Sequence, residues 1–451
     1  MATRVILVRH GESTYNAQRR VQGHCDESTL TEAGQLGASQ AGVALQDLQF
    51  DAIYCSPFQR ARETADLILA SLNHKAPSEL QITKNLREIS LPLWEGLSFQ
   101  EVEEKFPELY ECWRDRPHEL QMPLVTSEGT QTFYPVVALY EQAQRFWQEI
   151  LPKHPGQTIL AIAHSGINRC LISAAMDLGI TGYKVLYQSN CGISVLNFSG
   201  ELGAPVQLES INLTAHLGHP LPPIRRGQRG PRFLLVRHGE TDWNRQQRFQ
   251  GQIDVPLNEN GKIQSAQAAA FLKNFQIDRA VTSPMLRPKE TAEIILQYHP
   301  QVTLEFNDNL VEISHGLWEG KLESEIEQEF PGELAQWQNY PETVQMPEGE
   351  NLQQVWERAI AAWTHILATT PANPDGQVTT VLVTAHDAVN KAILCYLAGQ
   401  SPEKFWTFKQ GNGAVSVIDY PDGATGRCVI QAMNITTHQG SILDKTAAGA
   451  L

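Results

Sequence analysis

Apolar residues run unbroken through "VILV", residues 5–8, and stop abruptly at Arg9 and His10. A short β-branched run bounded by polar residues predicts a buried strand. From 31 to 46, "TEAGQLGASQAGVALQ" spaces its apolar residues at helical intervals and predicts a helix. "FDAIYCS" (50–56) then predicts a strand and "RARETADLILASL" (60–72) a helix. "EVEEKFPELYE" (101–111) reads as a solvated helix face. "VVALYEQAQRFWQEIL" (136–151) predicts another helix, "QTILAIAH" (157–164) a strand, "INRCLISAAMDL" (167–178) a helix and "ISVLNF" (193–198) a closing strand. Strands alternating with helices predict an α/β domain with a mostly parallel sheet.

The whole pattern occurs twice. "ILVRHGESTYNAQRRVQG" (6–23) aligns without a gap on "LLVRHGETDWNRQQRFQG" (234–251). "CSPFQRARETADLIL" recurs as "TSPMLRPKETAEIIL", "LREISLPLWEG" as "LVEISHGLWEG", and "QSNCGISVLNF" as "QGNGAVSVIDY". The offset drifts only from 228 to 222 residues across the copy. Two copies of one domain are therefore expected, at 1–213 and 232–440. "TAHLGHPLPPIRRGQRGPR", rich in Pro, Gly and Arg, marks a linker at 214–231, and 441–451 reads as a tail frayed over "DKTAAGAL".

Composition narrows the function. A formal net charge of -15 argues against a broad nucleic-acid or anionic-membrane surface, so an anionic ligand needs a local cationic cluster. Seven Cys, an odd number without CxxC spacing, suit reduced thiols. The first strand starts too early to leave room for a leader, and no run of 18 apolar residues occurs, so the expected location is the cytoplasm.

In an open α/β sheet, ligands bind outside the carboxyl ends of the strands. The repeated polar residues fall there: Arg9 and His10 after the first strand, Ser56 and Arg60 after the second, and His164 after "TILAIA". Glu88 lies in an irregular loop, and Arg237, His238, Arg287, Glu312 and His386 repeat the order. Two Arg, two His and one Glu suit a phosphoryl group. Arginine forks match phosphate oxygens. A neutral imidazole can attack phosphorus. The second histidine can donate to the phosphate, and the glutamic acid can protonate the leaving alkoxide. A metal site from His10, His164 and Glu88 is disfavoured by the neighbouring arginines, so no cofactor is expected.

The Arg-His-Gly near the start, the Ser-Pro-x-x-Arg-x-x-x-Thr segment, the Glu loop and the late His make each copy resemble the histidine phosphatase, or phosphoglycerate mutase-like, superfamily. The resemblance implies two three-layer α/β/α domains. It implies transient phosphorylation of His10 and His238, with phosphate held by Arg9, Asn16, Arg60 and His164, and by Arg237, Asn244, Arg287 and His386. Gln22, Gly23, Gln250 and Gly251 either touch substrate or shape a turn. Trp94-Glu95-Gly96 and Trp318-Glu319-Gly320 read as loop packing.

Cofactor-dependent mutases of the superfamily carry Glu-Arg-His-Tyr-Gly and a basic insertion at the acid loop. Here "REISLPLWEG" and "VEISHGLWEG" precede acidic helices, which favours a phosphatase of small phosphorylated metabolites. A mutase-type phosphotransferase, or one catalytic copy with a regulatory phosphate-binding copy, are the alternatives. The layout, with "FYPVVALYEQA" and "QSNCGISVLNF", further resembles two-domain 2-carboxy-D-arabinitol-1-phosphate phosphatases of photosynthetic organisms. Their plant members have a degraded second copy, whereas "VRHGETDWN" is whole here. The rims differ as well: "MPEGENLQQVW" leads into a helix that Asn351 can cap, while the first copy has "TSEGTQTFYPV" with Phe133 and Tyr134.

Overall fold

A computed structural model describes residues 2–73, 79–127, 129–371 and 376–447. The chain divides into two compact units, Met1–His219 and Pro220–Leu451. The first unit runs β1 (Thr3–Arg9), α1 (Thr14–Ala17), α2 (Glu32–Leu45), β2 (Ala52–Cys55), α3 (Gln59–Ala70), β3 (Leu80–Ile82), α4 (Phe99–Lys105), α5 (Pro107–Asp115), β4 (Met122–Thr126), β5 (Gly129–Phe133), α6 (Pro135–Ile150), β6 (Thr158–Ala163), α7 (Ser165–Ala175), β7 (Ile193–Phe198) and β8 (Val206–Leu213). Its main sheet has the order β8-β7-β1-β6-β2-β3. The pairs β1–β6, β6–β2 and β2–β3 are parallel, and β1–β7 and β7–β8 are antiparallel.

The second unit repeats this as β9 (Arg232–Arg237), α8 (Asp242–Gln246), α9 (Glu259–Leu272), β10 (Arg279–Thr282), α10 (Leu286–Leu296), β11 (Leu304–Phe306), α11 (Glu323–Glu329), α12 (Glu333–Asn339), α13 (Leu352–Thr369), β12 (Thr380–Ala385), α14 (Asp387–Leu397), β13 (Val415–Asp419) and β14 (Val429–Ile435). Its sheet order is β11-β10-β12-β9-β13-β14.

The continuous apolar runs are central strands covered on both faces. Val5, Ile6, Leu7 and Val8 are all fully buried, as are Ile159 to Ala163 in β6. Register aligns the strand ends: Arg9 pairs with Ala163 and Cys55 with Ile162, while in the second unit Arg237 pairs with Ala385. His10, Ser56 and His164 therefore leave the sheet together.

Three local expectations change. Residues 101–111 do not form one helix. The break falls at Phe106, because Pro107 lacks the N–H that would continue α4 and instead starts α5. That segment is not wholly solvated either, since Val102 is fully buried. Gly129–Phe133 forms β5, paired with β4, and does not start a helix; α6 begins at Pro135. Of the expected tail, Thr446 donates to Asp444, which accepts from Asn434 Nδ2 at 3.2 Å; residues 448–451 lie outside the described residues.

Candidate active site

His10 follows β1 and is 2% exposed. Its Nδ1 lies 2.7 Å from the Gly11 carbonyl. A carbonyl only accepts, so Nδ1 carries the proton and Nε2 keeps its lone pair. His238 repeats this with the Gly239 carbonyl at 2.7 Å, and its Nε2 accepts from Arg287 Nε at 3.3 Å. Burial first, then Arg60 and Arg9, hold His10 well below the usual histidine range; burial, Arg287 and Arg237 do the same to His238. Both are neutral imidazoles at neutral pH.

The late histidines sit edge-on to the first ones. The ring centroids of His10 and His164 are 5.0 Å apart, and those of His238 and His386 are 5.3 Å apart. Nε2 of His164 meets Ser56 Oγ at 2.7 Å, and Nε2 of His386 meets Ser283 Oγ at 2.9 Å. Both Nδ1 atoms are buried without a partner. Burial, then Arg60 or Arg287, keeps these rings neutral as well; a phosphate dianion facing Nδ1 would act in the opposite direction.

The arginines are held by one edge. Arg60 donates to the Cys25 and Gly23 carbonyls, both at 3.1 Å, and Arg9 donates to the Gln188 carbonyl at 2.8 Å. Nε of each is buried with no acceptor. A buried N–H left unpaired costs roughly 1–3 kcal/mol. An anion arriving between the two arginines would remove that cost. Arg287 is anchored on Ile253 (3.1 Å) and Gly251 (2.8 Å), and Arg237 on Gln410.

Glu88 reaches the N-terminus of α7. Its carboxylate accepts from Gly166 N (3.0 Å), Ile167 N (3.2 Å) and Ile89 N (2.8 Å). Glu312 does the same at α14, with Asp387 N (3.1 Å), Ala388 N (3.4 Å) and Ile313 N (3.0 Å). Unpaired N–H groups at a helix start attract anions. Burial raises the Glu312 carboxyl above the usual range against the pull of Arg287.

All ten residues named for the core of the pockets, five in each unit, thus converge as two sets. Asn16 and Asn244 lie at the edges, in the capping boxes of α1 and α8. Gln22 and Gln250 are turned inward: their Oε1 atoms accept from Ser13 Oγ (2.9 Å) and Thr241 Oγ1 (2.8 Å). Gly23 and Gly251 take positive φ, +50° and +54°, and lend their carbonyls to Arg60 and Arg287. The four thus lie in the loops whose carbonyls anchor Arg60 and Arg287. Trp94 is 1% exposed and Glu95 accepts from His24 N at 2.9 Å, which is loop packing.

Sequence reasoning passed over Asn190 and Asn412. Asn190 Nδ2 bridges the His10 carbonyl (2.9 Å) and Asn16 Oδ1 (3.1 Å), and Asn412 makes the equivalent pair at 3.4 and 3.3 Å. Their signal was the repeated "QSN" and "QGN". Thr64 and Thr291 accept from the Gly11 and Gly239 amides at 2.9 and 3.1 Å. Among the described residues, no group of three or more His, Cys, Asp or Glu could hold a metal ion. No helix there is long and apolar enough to cross a membrane.

The family model described as histidine phosphatase superfamily (branch 1) matches residues 5–210 and 233–436. The 2-carboxy-D-arabinitol-1-phosphatase of Triticum aestivum is 30% identical, over 97% of this chain and 87% of its own length. A probable 2-carboxy-D-arabinitol-1-phosphatase of Arabidopsis thaliana is 31% identical, over 97% and 88%. Phosphoserine phosphatase 1 of Hydrogenobacter thermophilus is 34% identical over 46% of this chain and 94% of its own.

Proposed function

The chain belongs to the histidine phosphatase superfamily and is a phosphatase, and on that premise we propose that it is a phosphomonoesterase acting on sugar phosphates or sugar-acid phosphates such as 2-carboxy-D-arabinitol 1-phosphate. Each unit works through its own phosphohistidine. Nε2 of His10 attacks phosphorus, the P–N bond forms and the P–O ester bond breaks. Arg9, Arg60 and His164 hold the equatorial oxygens as charge develops there. Glu88 gives its proton to the departing alkoxide, a step worth roughly 10²–10⁴ in rate. The resulting carboxylate then takes a proton from water, whose oxygen attacks phosphorus and breaks the P–N bond. Phosphate leaves and Glu88 is protonated again. His238, Arg237, Arg287, His386 and Glu312 act in the same roles.

One observation carries this reading: in both units a buried neutral histidine keeps an Nε2 lone pair beside arginines tied by their outer edges to carbonyls. Such a site favours a nucleophile and an anion together. The sugar-acid substrate is supported by the relatives that match nearly the whole length. Hydrolysis rather than transfer is supported by the acidic segments after the Glu loop. The test is rapid quench of the full chain with a phosphorus-labelled ester. Acid-labile label on His10 and His238 peptides is expected; its absence, with turnover intact, refutes the covalent route.

A further inference from the structure

The two pockets differ in charge beside their acid residues. After His164 the first unit has Ser165; after His386 the second has Asp387. One turn further along the helix come Arg169 and Lys391. Asp387 lies 2.8 Å from Lys391 Nζ and 3.5 Å from Arg237 Nη1, with all three side chains buried. Among the described residues, no carboxylate forms an ion pair with Arg169. Its Nη2 donates to Ser165 Oγ at 2.9 Å, its guanidinium lies 4.9 Å over the Tyr183 ring, and its Nε is buried without an acceptor.

Arg87 is the second difference. Its Nε is also buried and unpartnered, and the second unit has Val311 at that place. Arg87 lines a cleft of about 370 Å³ with His24, Glu88, Ser90 and Phe133. Both arginines belong to the segments that hold one carboxylate. Arg87 is the chain neighbour of Glu88, and Arg169 is on the helix whose Gly166 N–H holds Glu88 at 3.0 Å. A Cβ at Gly166 would come within 2.3 Å of Glu88 Oε1 and 3.2 Å of the Tyr183 hydroxyl, so this corner is one compact space.

We propose that Arg87 and Arg169 form a second anion subsite in the first unit, selecting phosphate esters that carry a carboxylate close to the ester, whereas the second unit takes monoesters without one. The proposal rests on the phosphatase reading above. With phosphorus at His10 and the leaving oxygen at Glu88, the carbons nearest the ester lie beside Glu88. A carboxylate there meets two guanidinium forks whose geometry matches it. In the second unit the same carboxylate meets Asp387, a like charge, and a lysine already paired.

The assay uses the full chain with His238→Ala, which isolates the first unit. It compares kcat/KM for 3-phosphoglycerate and glycerol 3-phosphate, which differ only in a carboxylate against a hydroxymethyl group. The parent should prefer 3-phosphoglycerate. Arg87→Gln and Arg169→Gln should each lower the preference about tenfold, as expected for a charge-assisted hydrogen bond. Ser165→Asp, which rebuilds the ion pair of the second unit, should do the same, and it decides the matter should Arg169→Gln not fold. Asp387→Ser in a His10→Ala chain should raise the preference several-fold. A parent that prefers glycerol 3-phosphate overturns the subsite, as does a preference within twofold of parent in both Arg169→Gln and Ser165→Asp. A His238→Ala chain that hydrolyses neither ester overturns the phosphatase reading of that unit and the subsite with it.

Discussion

Replacing Glu88 by Gln in a His238→Ala chain separates proton donation from everything else the residue does. The carboxylate accepts three N–H groups, at 2.8, 3.0 and 3.2 Å. An amide keeps one acceptor oxygen, which can still serve Ile89 and Ile167. Its NH₂ then faces the Gly166 N–H, which loses its partner. One unpaired, partly buried donor costs roughly 1–3 kcal/mol. In a unit of this size that lowers Tm by about 2–10 °C, so the protein stays folded. The loss of rate is then chemical. A sugar phosphate leaves as an alkoxide and needs the proton, so its kcat should fall by about 10²–10⁴. p-Nitrophenyl phosphate leaves as a stabilised phenolate and should slow less than about tenfold in its first step. Because the same residue also activates water, phosphohistidine should accumulate with the aryl ester and be visible on quenching. Equal slowing of both esters, with no accumulation, would refute the acid–base role and leave Glu88 only a structural cap of α7.

His10→Ala and His238→Ala should each abolish phosphohistidine in their own unit, and a double variant with substantial remaining activity would sink the nucleophile assignment. With 3-phosphoglycerate, phosphate release should far outpace formation of 2-phosphoglycerate; efficient interconversion would favour a mutase. All four site histidines have pKa values pushed well below 6.5 by burial and nearby arginine. The unfolded chain therefore binds protons that the folded chain refuses as pH falls below 6.5, so stability is full above that pH and drops below it by up to about 1.4 kcal/mol per pH unit for each histidine. Denaturant titrations between pH 7.5 and 5.5 that show no loss would contradict the buried neutral rings. Gly23→Ala should lower kcat/KM of the first unit about 10–100-fold: its Cβ would fall 2.3 Å from Glu95 Oε1, at φ +50°, and would shift the carbonyl that holds Arg60. Unchanged kinetics would show that this carbonyl does not position the arginine.

The recurrence of strand, helix and motif was legible because it is written in local periodicity. An apolar run such as Val5–Val8 can only be a covered strand, and polar residues that follow two such runs in parallel register must meet at one sheet edge. Hence Arg9, His10, Arg60 and His164, and their counterparts, could be placed together from order, while Glu88 and Glu312, in irregular loops, stood out only through the repeat. The break at Phe106 was less legible. There a proline overrode an acidic spacing that suits a helix.

By itself, then, the sequence determined two copies of an α/β unit, the order of the repeated polar residues and the kind of ligand that such residues suit. Tertiary structure alone decided how those residues are held. Which histidine nitrogen is free depends on one carbonyl, that of Gly11 or Gly239. Which face of Arg60 is open depends on loop carbonyls 35 and 37 residues away. Asn190 meets Asn16 across 174 residues. The pairing of Lys391 with Asp387, against that of Arg169 with a neutral Ser165, became visible only once a helix brought each pair to one face. A pattern along the chain records which surfaces must be covered; it does not record which atoms cover them, because those contacts are set by the approach of segments far apart in sequence.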